Sequence, residues 1–443
     1  MVEECCNRTF SMKAIFINPP VYDFSAFDLW SKPYGFLFIV DLFVKNGWDI
    51  CYFDFMDRNH PFYHGRKKDK KFGCGNYFFQ VVEKPSIYGN IPRKYKRFGL
   101  PEEVFIKYLE SIKNVDVILI SCGMTYWYFG VHEVVDICKK MKKAPVILGG
   151  SYPTFCPEHA KKSGADMIFE GADIKNFAAQ LNQNYGFRLK YYEKCKPYWQ
   201  VYEKLSYLVV RTGFGCPFSC YYCGVKKIYP EYLFRNVDEV VEEVIENVNR
   251  YNIQDIAFYD DALFYNFENH LRKILENIAS THKNLNFHTP NGIHPRYITK
   301  DVAFFLKESG FKTLRLSLET LDEKRQKESS FKVYLSEFEN AMRNLVDAKF
   351  SKQDIGAYIL AGLPGQSIEE VVQTIKYLKQ FSCEIKMAEY SPIPGTVDFE
   401  ISKQFYPALP LDEPLLQNNS IFPLWNFEGK WEKINWLKNL VKP

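Results

Sequence analysis

No apolar stretch of this chain approaches the roughly twenty residues that a membrane-spanning helix needs. The best candidate, GFLFIVDLFV from Gly35 to Val44, is interrupted by Asp41, so no transmembrane segment is expected. The opening MVEECCNRTFSMKAIF does not pair a basic leader with a long apolar core; secretion is therefore not expected, and a cytoplasmic location is. Cysteine is sparse, 12 in 443 residues, too few for a disulfide scaffold. The formal net charge is only +4, which argues against a dedicated nucleic-acid binder. With 47% hydrophobic and 25% charged residues, the composition is that of a globular chain and excludes a disordered or fibrous one. Because the first strand is expected at Lys13, Met12 is read as the start of the folded unit, with Cys5 and Cys6 outside it.

What is present is an alternation of strand and helix patterns. KAIFINPP, WDICYFDF, VDVILISCG, PVILGG and ADMIFEGA read as apolar strands, and the segments between them carry helical periodicity. Near-continuous apolar strands joined by helices argue for a parallel sheet covered on both faces, a doubly wound domain at 12–184. The basic insertion His64 to Gly99 interrupts it. In this topology it is expected to rise from the ligand edge of the sheet, as an anion clamp, a lid or a solvated loop. A polar and aromatic linker at 185–205 leads to a second alternating region at 206–396. Six strand and helix repeats occur there, two short of a closed eightfold barrel, so an open (β/α)6 barrel is expected. The tail at 397–443, with three tryptophans, reads as a small cap.

The only clustered cysteines are Cys216, Cys220 and Cys223, in RTGFGCPFSCYYCGVKK. Structural zinc takes four ligands, and no histidine lies in this loop; a catalytic zinc with three ligands stays open, as do three incidental thiols. An iron–sulfur cube takes four thiolates, so three would leave one iron open to another ligand. The loop follows the first barrel strand, on the face where barrel enzymes place their chemistry.

CPFSCYYC resembles the CxxxCxxC signature of the radical S-adenosylmethionine superfamily, whose fold is a partial barrel of six units. The resemblance implies that Cys216, Cys220 and Cys223 hold a 4Fe-4S cluster while the amino and carboxylate groups of S-adenosylmethionine (SAM) chelate the fourth iron. An electron from the cluster then cleaves SAM to methionine and a 5′-deoxyadenosyl radical, with an electron donor such as flavodoxin or ferredoxin upstream. Tyr222 would lie beside the adenine. FYDDALF falls where the family has Gly-Gly-Glu, which nominates Asp260 and Asp261 as cofactor contacts, although either could be a plain strand cap. LRLSLET resembles the fourth-strand motif and nominates Ser317 and Glu319; alternation puts Arg315, Ser317 and Glu319 on one face. GAYILAGLPG resembles the fifth-strand motif, with Gly356 and Gly362 allowing close approach. His294 and Arg296 in PNGIHPRYIT, at the third strand end, are the candidate catalytic contacts to substrate.

The front domain, with INPP, LGGSYPTFCPEHA and DMIFEGAD, is similar to that of cobalamin-binding members, which implies a corrinoid and methyl transfer. The chain lacks the Asp-x-His-x-x-Gly motif that supplies a histidine to cobalt; His132 and His159 are stand-ins to examine, and the aromatics of SCGMTYWYFG could lie on a macrocycle. A corrinoid-free radical enzyme performing a rearrangement or coupling, and a non-catalytic iron–sulfur or zinc protein, remain alternatives. The basic insertion suggests a small, anionic substrate.

Overall fold

The computed structural model describes residues 11–64, 69–328 and 333–442; Cys5, Cys6 and residues 65–68 of the basic insertion lie outside them. The chain forms two compact units. The first comprises the residues up to Tyr22, Pro33–Asp57 and Arg97–Val201, and the second Asp23–Lys32, Arg58–Lys96 and the residues from Tyr202 onward.

In the first unit, strands β1 (Lys13–Asn18), β2 (Asp49–Asp54), β3 (Val117–Cys122), β4 (Val146–Gly150) and β5 (Met167–Ile168) form one sheet in the order β2-β1-β3-β4-β5. All its pairings are parallel. The strand order reverses between β1 and β3, which makes the loops after those strands the switch point of a doubly wound sheet. Ala14 and Phe16 of β1, Val117 and Leu119 of β3 and Ile147 of β4 enter one apolar core together with Val40, Leu42 and Phe43 of helix α1 (Tyr34–Lys45) and Phe177, Ala178 and Leu181 of a later helix at 174–185. The segment expected as a linker packs on this unit: Lys196 N–H donates to Asp41 Oδ2 at 3.1 Å, and Trp199 is fully buried beside Tyr34.

The second unit carries the partial barrel. Strands β6 (Leu208–Val210), β9 (Asp255–Phe258), β10 (Asn286–His288), β11 (Phe311–Glu319), β12 (Ile355–Ala361) and β13 (Glu384–Glu389) lie side by side in sequence order, and a hairpin of β7 (Gly213–Phe214) and β8 (Leu233–Phe234) follows the first of them. The six-stranded sheet is parallel throughout. Its helices begin on side-chain caps that satisfy the orphan N–H groups of the first turn: Asn236 accepts from Asp238 N–H, Thr299 from Val302 N–H and Ser367 from Glu370 N–H.

The structure groups the basic insertion with the barrel, not with the sheet that it interrupts in sequence. The cause is a buried ionic knot. Arg58 is 3% exposed; its Nη1 donates to Asp28 at 2.9 Å and its Nη2 to Asp69 at 2.6 Å, and the Tyr207 phenol donates to the same Asp28. Three other cations of the insertion are engaged within the second unit. Lys84 Nζ donates to the Ile91 carbonyl, Arg93 to the Ser420 carbonyl, and Lys96 sits 4.2 Å over the Phe79 ring. In the tail, Phe399, Leu411 and Leu424 pack on Leu360, Leu363 and Tyr390 of the barrel end.

Candidate functional site

The three-residue lead-in Arg211–Gly213, between β6 and the cysteine loop, is gripped from three sides. Asp260, at the end of β9 and 3% exposed, accepts from Thr212 N–H at 2.9 Å, Thr212 Oγ1–H at 2.7 Å and Gly213 N–H at 2.8 Å. Burial pushes its carboxyl up to about 6 against those donors. His270 Nε2 bonds the Thr212 carbonyl at 2.9 Å. Arg235 Nη1 donates to the Arg211 carbonyl at 2.8 Å and pairs with the fully buried Glu243 carboxylate at 2.7 Å. The structure thus gives Asp260 a bracing place under the loop. Asp261 carries its carboxylate to Arg211 at 3.2 Å, and its backbone carbonyl lies 3.9 Å from Cys216 Sγ.

Cys216, Cys220 and Cys223 are half-buried on this loop, and Cys223 N–H closes a turn on the Cys220 carbonyl at 3.0 Å. Gly215 has φ +80°, and a Cβ there would fall 2.4 Å from the Glu231 carbonyl oxygen, so the chain can enter the loop only as glycine. A structural zinc takes four ligands, and this loop offers three thiolates. A cube instead takes each thiolate on a separate iron, and soft thiolate donors are those that iron–sulfur clusters select. The loop fits that group.

Two of the nominated cofactor residues meet. The Tyr222 phenol, from the loop, donates to Glu319 Oε1 at 3.2 Å. Glu319 reaches it through a register shift between Ser317 and Glu319 against β12 and a φ of +68°. The strict alternation expected along β11 therefore holds for Arg315 and Ser317 and breaks before Glu319, as a bulge re-aims a side chain. Ser317 is fully buried, and its Oγ has no hydrogen-bond partner among the described residues. An orphaned hydroxyl at this place fits a polar group of SAM. Gly356 lies under the Arg315 side chain, and Gly362 lies against Phe422 of the tail.

His294 and Arg296 reach the cysteine loop through Phe218, which sequence reasoning passed over. The His294 ring, 3% exposed, stacks on Phe218 at 4.1 Å and 22°. Arg296 lies 5.6 Å over the same ring and 3.5 Å from Glu337. Asp260, Thr289, Asn291, Gly292, His294 and Tyr297 line one cleft. The signal missed in the sequence is the aromatic between the first two cysteines; the partners Thr212, Arg235, Glu243 and His270 carry none.

In the first unit, Thr154 Oγ1 ties the segments after β4 and β5 together, donating to the Gly150 carbonyl at 2.7 Å and accepting from Gly171 N–H at 2.9 Å. A Cβ at Gly149 or at Gly171 would meet nothing within 4 Å, so space is open beside these two glycines. His132 and His159, the stand-ins for a cobalt ligand, gather on Tyr152, whose hydroxyl lies 2.7 Å from His159 Nδ1 and 3.4 Å from His132 Nε2. Burial, and then the neighbouring His159, push His132 down to about 4. Tyr128 packs on this trio, so that aromatic of SCGMTYWYFG is engaged within the unit. The open space beside Gly149 and Gly171 is compatible in size class with the edge of a wide ligand such as a corrinoid.

Comparison with known proteins agrees with both units. Residues 210–378 match the family described as Radical SAM superfamily, and residues 97–178 match the B12 binding domain. A Pyrococcus horikoshii protein named as an uncharacterized methyltransferase is 26% identical over 192 residues, 42% of this chain and 40% of that protein. An uncharacterized Methanocaldococcus jannaschii protein is 23% identical over 332 residues, 68% of this chain and 71% of that one. Among solved structures, the radical SAM methyltransferase TsrM of Kitasatospora setae, with tryptophan substrate and a SAM analogue bound, superposes with a TM-score of 0.65 at 13% identity, covering 89% of this chain and 76% of that one. The cobalamin-dependent SAM radical enzyme OxsB, with aqua-cobalamin and SAM bound, gives 0.56 at 10% identity, covering 92% and 57%. At such identities these structures speak for the fold.

Proposed function

Because the chain belongs to the radical S-adenosylmethionine superfamily and carries a B12-binding domain ahead of its radical domain, we propose that it is a cobalamin-dependent methyltransferase acting on a small molecule. The observation that carries the proposal is the braced three-thiol loop, tied through Tyr222 and Glu319 to the fourth barrel strand, in a chain whose other unit is a doubly wound parallel sheet. When bound, the cluster supplies an electron to SAM and the corrinoid supplies a carrier for the methyl group.

The residues have distinct roles in this proposal. Cys216, Cys220 and Cys223 hold three irons, and Asp260, Arg235 and His270 fix the backbone that carries Cys216. The Tyr222–Glu319 pair and the Ser317 hydroxyl orient SAM, while Gly356 makes room for the Arg315 side chain and Gly362 for Phe422. Asp261 neutralises Arg211 next to the cluster. His294 and Arg296, held on Phe218, face the substrate side. Packing of the tail on the barrel end excludes water. Flavodoxin or ferredoxin fits as the electron donor, and a cytoplasmic setting keeps the thiols reduced. No helix among the described residues is long and apolar enough to cross a membrane.

The test is anaerobic reconstitution with iron and sulfide, followed by SAM and reductant, with and without cobalamin. S-adenosylhomocysteine or 5′-deoxyadenosine should form, and Cys220→Ala should abolish both; full turnover by that variant defeats the assignment. SAM cleavage by a chain that retains no corrinoid under any condition selects the corrinoid-free alternative. A protein holding one zinc and no sulfide selects the non-catalytic one.

A further inference from the structure

Leu314, Leu316 and Leu318 of β11 are fully buried, and on the alternate face Arg315 and Ser317 turn toward Gly356 and Gly292 of the neighbouring barrel segments. Arg315 lies flat across β12, because a Cβ at Gly356 would fall 2.7 Å from its Cδ and 2.9 Å from its Nη1. Its side chain is half-buried. Among the described residues its guanidinium makes one hydrogen bond, to the Leu314 carbonyl at 3.4 Å, and no ion pair.

The carboxylates whose field reaches it already have cations. Glu384 is held by Lys386 at 2.7 Å and Asp354 lies 3.7 Å from Lys307. Deeper in the barrel, Asp255 is bonded by His288 at 3.1 Å, and burial lowers the pKa of that imidazole. The Tyr358 hydroxyl donates to the Pro290 carbonyl at 2.8 Å. One positive charge is left without a counterpart on an enclosed face, which is costly unless an anion arrives. The backbone of Arg315 adjoins the cleft of the candidate site. Thr289, whose Oγ1 accepts from Arg315 N–H at 3.0 Å, lines the cleft shared by Asp260 and His294.

We propose that Arg315 binds a carboxylate of the substrate as a bidentate pair, one step deeper in the barrel than Ser317; this rests on the radical-enzyme reading above. A planar guanidinium matches the carboxylate fork. One uncompensated charge balances a monoanion, whereas a phosphate dianion would leave charge over.

Phenylglyoxal labelling of the full, reconstituted chain tests this, with the Arg315 adduct followed by peptide mass spectrometry. Phenylglyoxal reacts with guanidinium groups that are accessible and not locked in ion pairs. Sodium chloride of equal ionic strength serves as the blank. The expected result is an adduct at Arg315 whose formation acetate slows about fivefold or more, that inorganic phosphate slows less, and that SAM alone leaves unchanged. Absence of the adduct overturns the proposal, since the side chain is then closed to ligands. Protection by phosphate equal to or above that by acetate overturns the carboxylate assignment. Protection by SAM alone moves Arg315 to the cofactor and overturns it too. SAM cleavage by unlabelled chain is measured in parallel; its failure counts against the radical-enzyme reading, whereas labelling judges Arg315 by itself.

Discussion

The two sheets of this chain end in opposite ways at their C-terminal edges. After β6 the backbone is clasped by buried polar groups, Asp260, His270 and the Arg235–Glu243 pair, and the thiols that follow stand on a braced loop. After β4 and β5 the edge is glycine with open space, Gly149 and Gly171, and the nearby histidines are tied to a tyrosine. The first edge fixes individual atoms, as a reactive metal cluster needs. The second makes room and contributes few directed groups, as suits a wide ligand recognised by shape.

This contrast can be broken first at Asp260. Replacing it with alanine leaves two backbone N–H groups and a hydroxyl buried without an acceptor, a loss of ~3 kcal/mol. Denaturant unfolding of Asp260→Ala should report that loss, with Asp260→Asn intermediate; an unchanged midpoint would mean that the clasp does not hold the loop.

A smaller effect is expected from His132. Its folded-state pKa, about 4, lies below the ordinary histidine value of about 6.5, so the unfolded chain binds the proton more readily. Stability from this group is therefore present above about 6.5 and falls away as pH drops toward 4, by ~2 kcal/mol after allowing for its partial exposure. Unfolding between those pH values should show that decline in the wild type and a flatter curve in His132→Gln. Equal slopes would show that the imidazole is not desolvated.

The smallest stability change belongs to Gly149→Leu, which fills empty space at the edge and should shift unfolding by less than about 1 kcal/mol. Retention of supplied cobalamin on gel filtration should fall sharply in the same variant. Undiminished retention would place the corrinoid elsewhere.

Much of this was legible without coordinates. Apolar strands such as KAIFIN and VILISC announced the parallel sheet, and the Cys216, Cys220 and Cys223 spacing pointed to the loop after the first barrel strand as the place to look for a cluster. What was hidden depends on partners distant in sequence. Arg58 and Asp28, thirty residues apart, carry the basic insertion to the barrel unit, and no local composition encodes that pairing. Alternation along LRLSLE could not disclose the bulge that turns Glu319 toward Tyr222. Nor could FYDDALF say which aspartate braces the backbone and which meets Arg211, because both are acidic residues at one strand end.

The most direct measurement is the electron paramagnetic resonance spectrum of the reduced, reconstituted chain with and without SAM. Three thiolates leave one iron open, so the iron–sulfur signal is expected to change when SAM is added and to be absent from Cys220→Ala. A signal identical with and without SAM, or a chain that builds no cluster at all, would contradict the assignment of this loop.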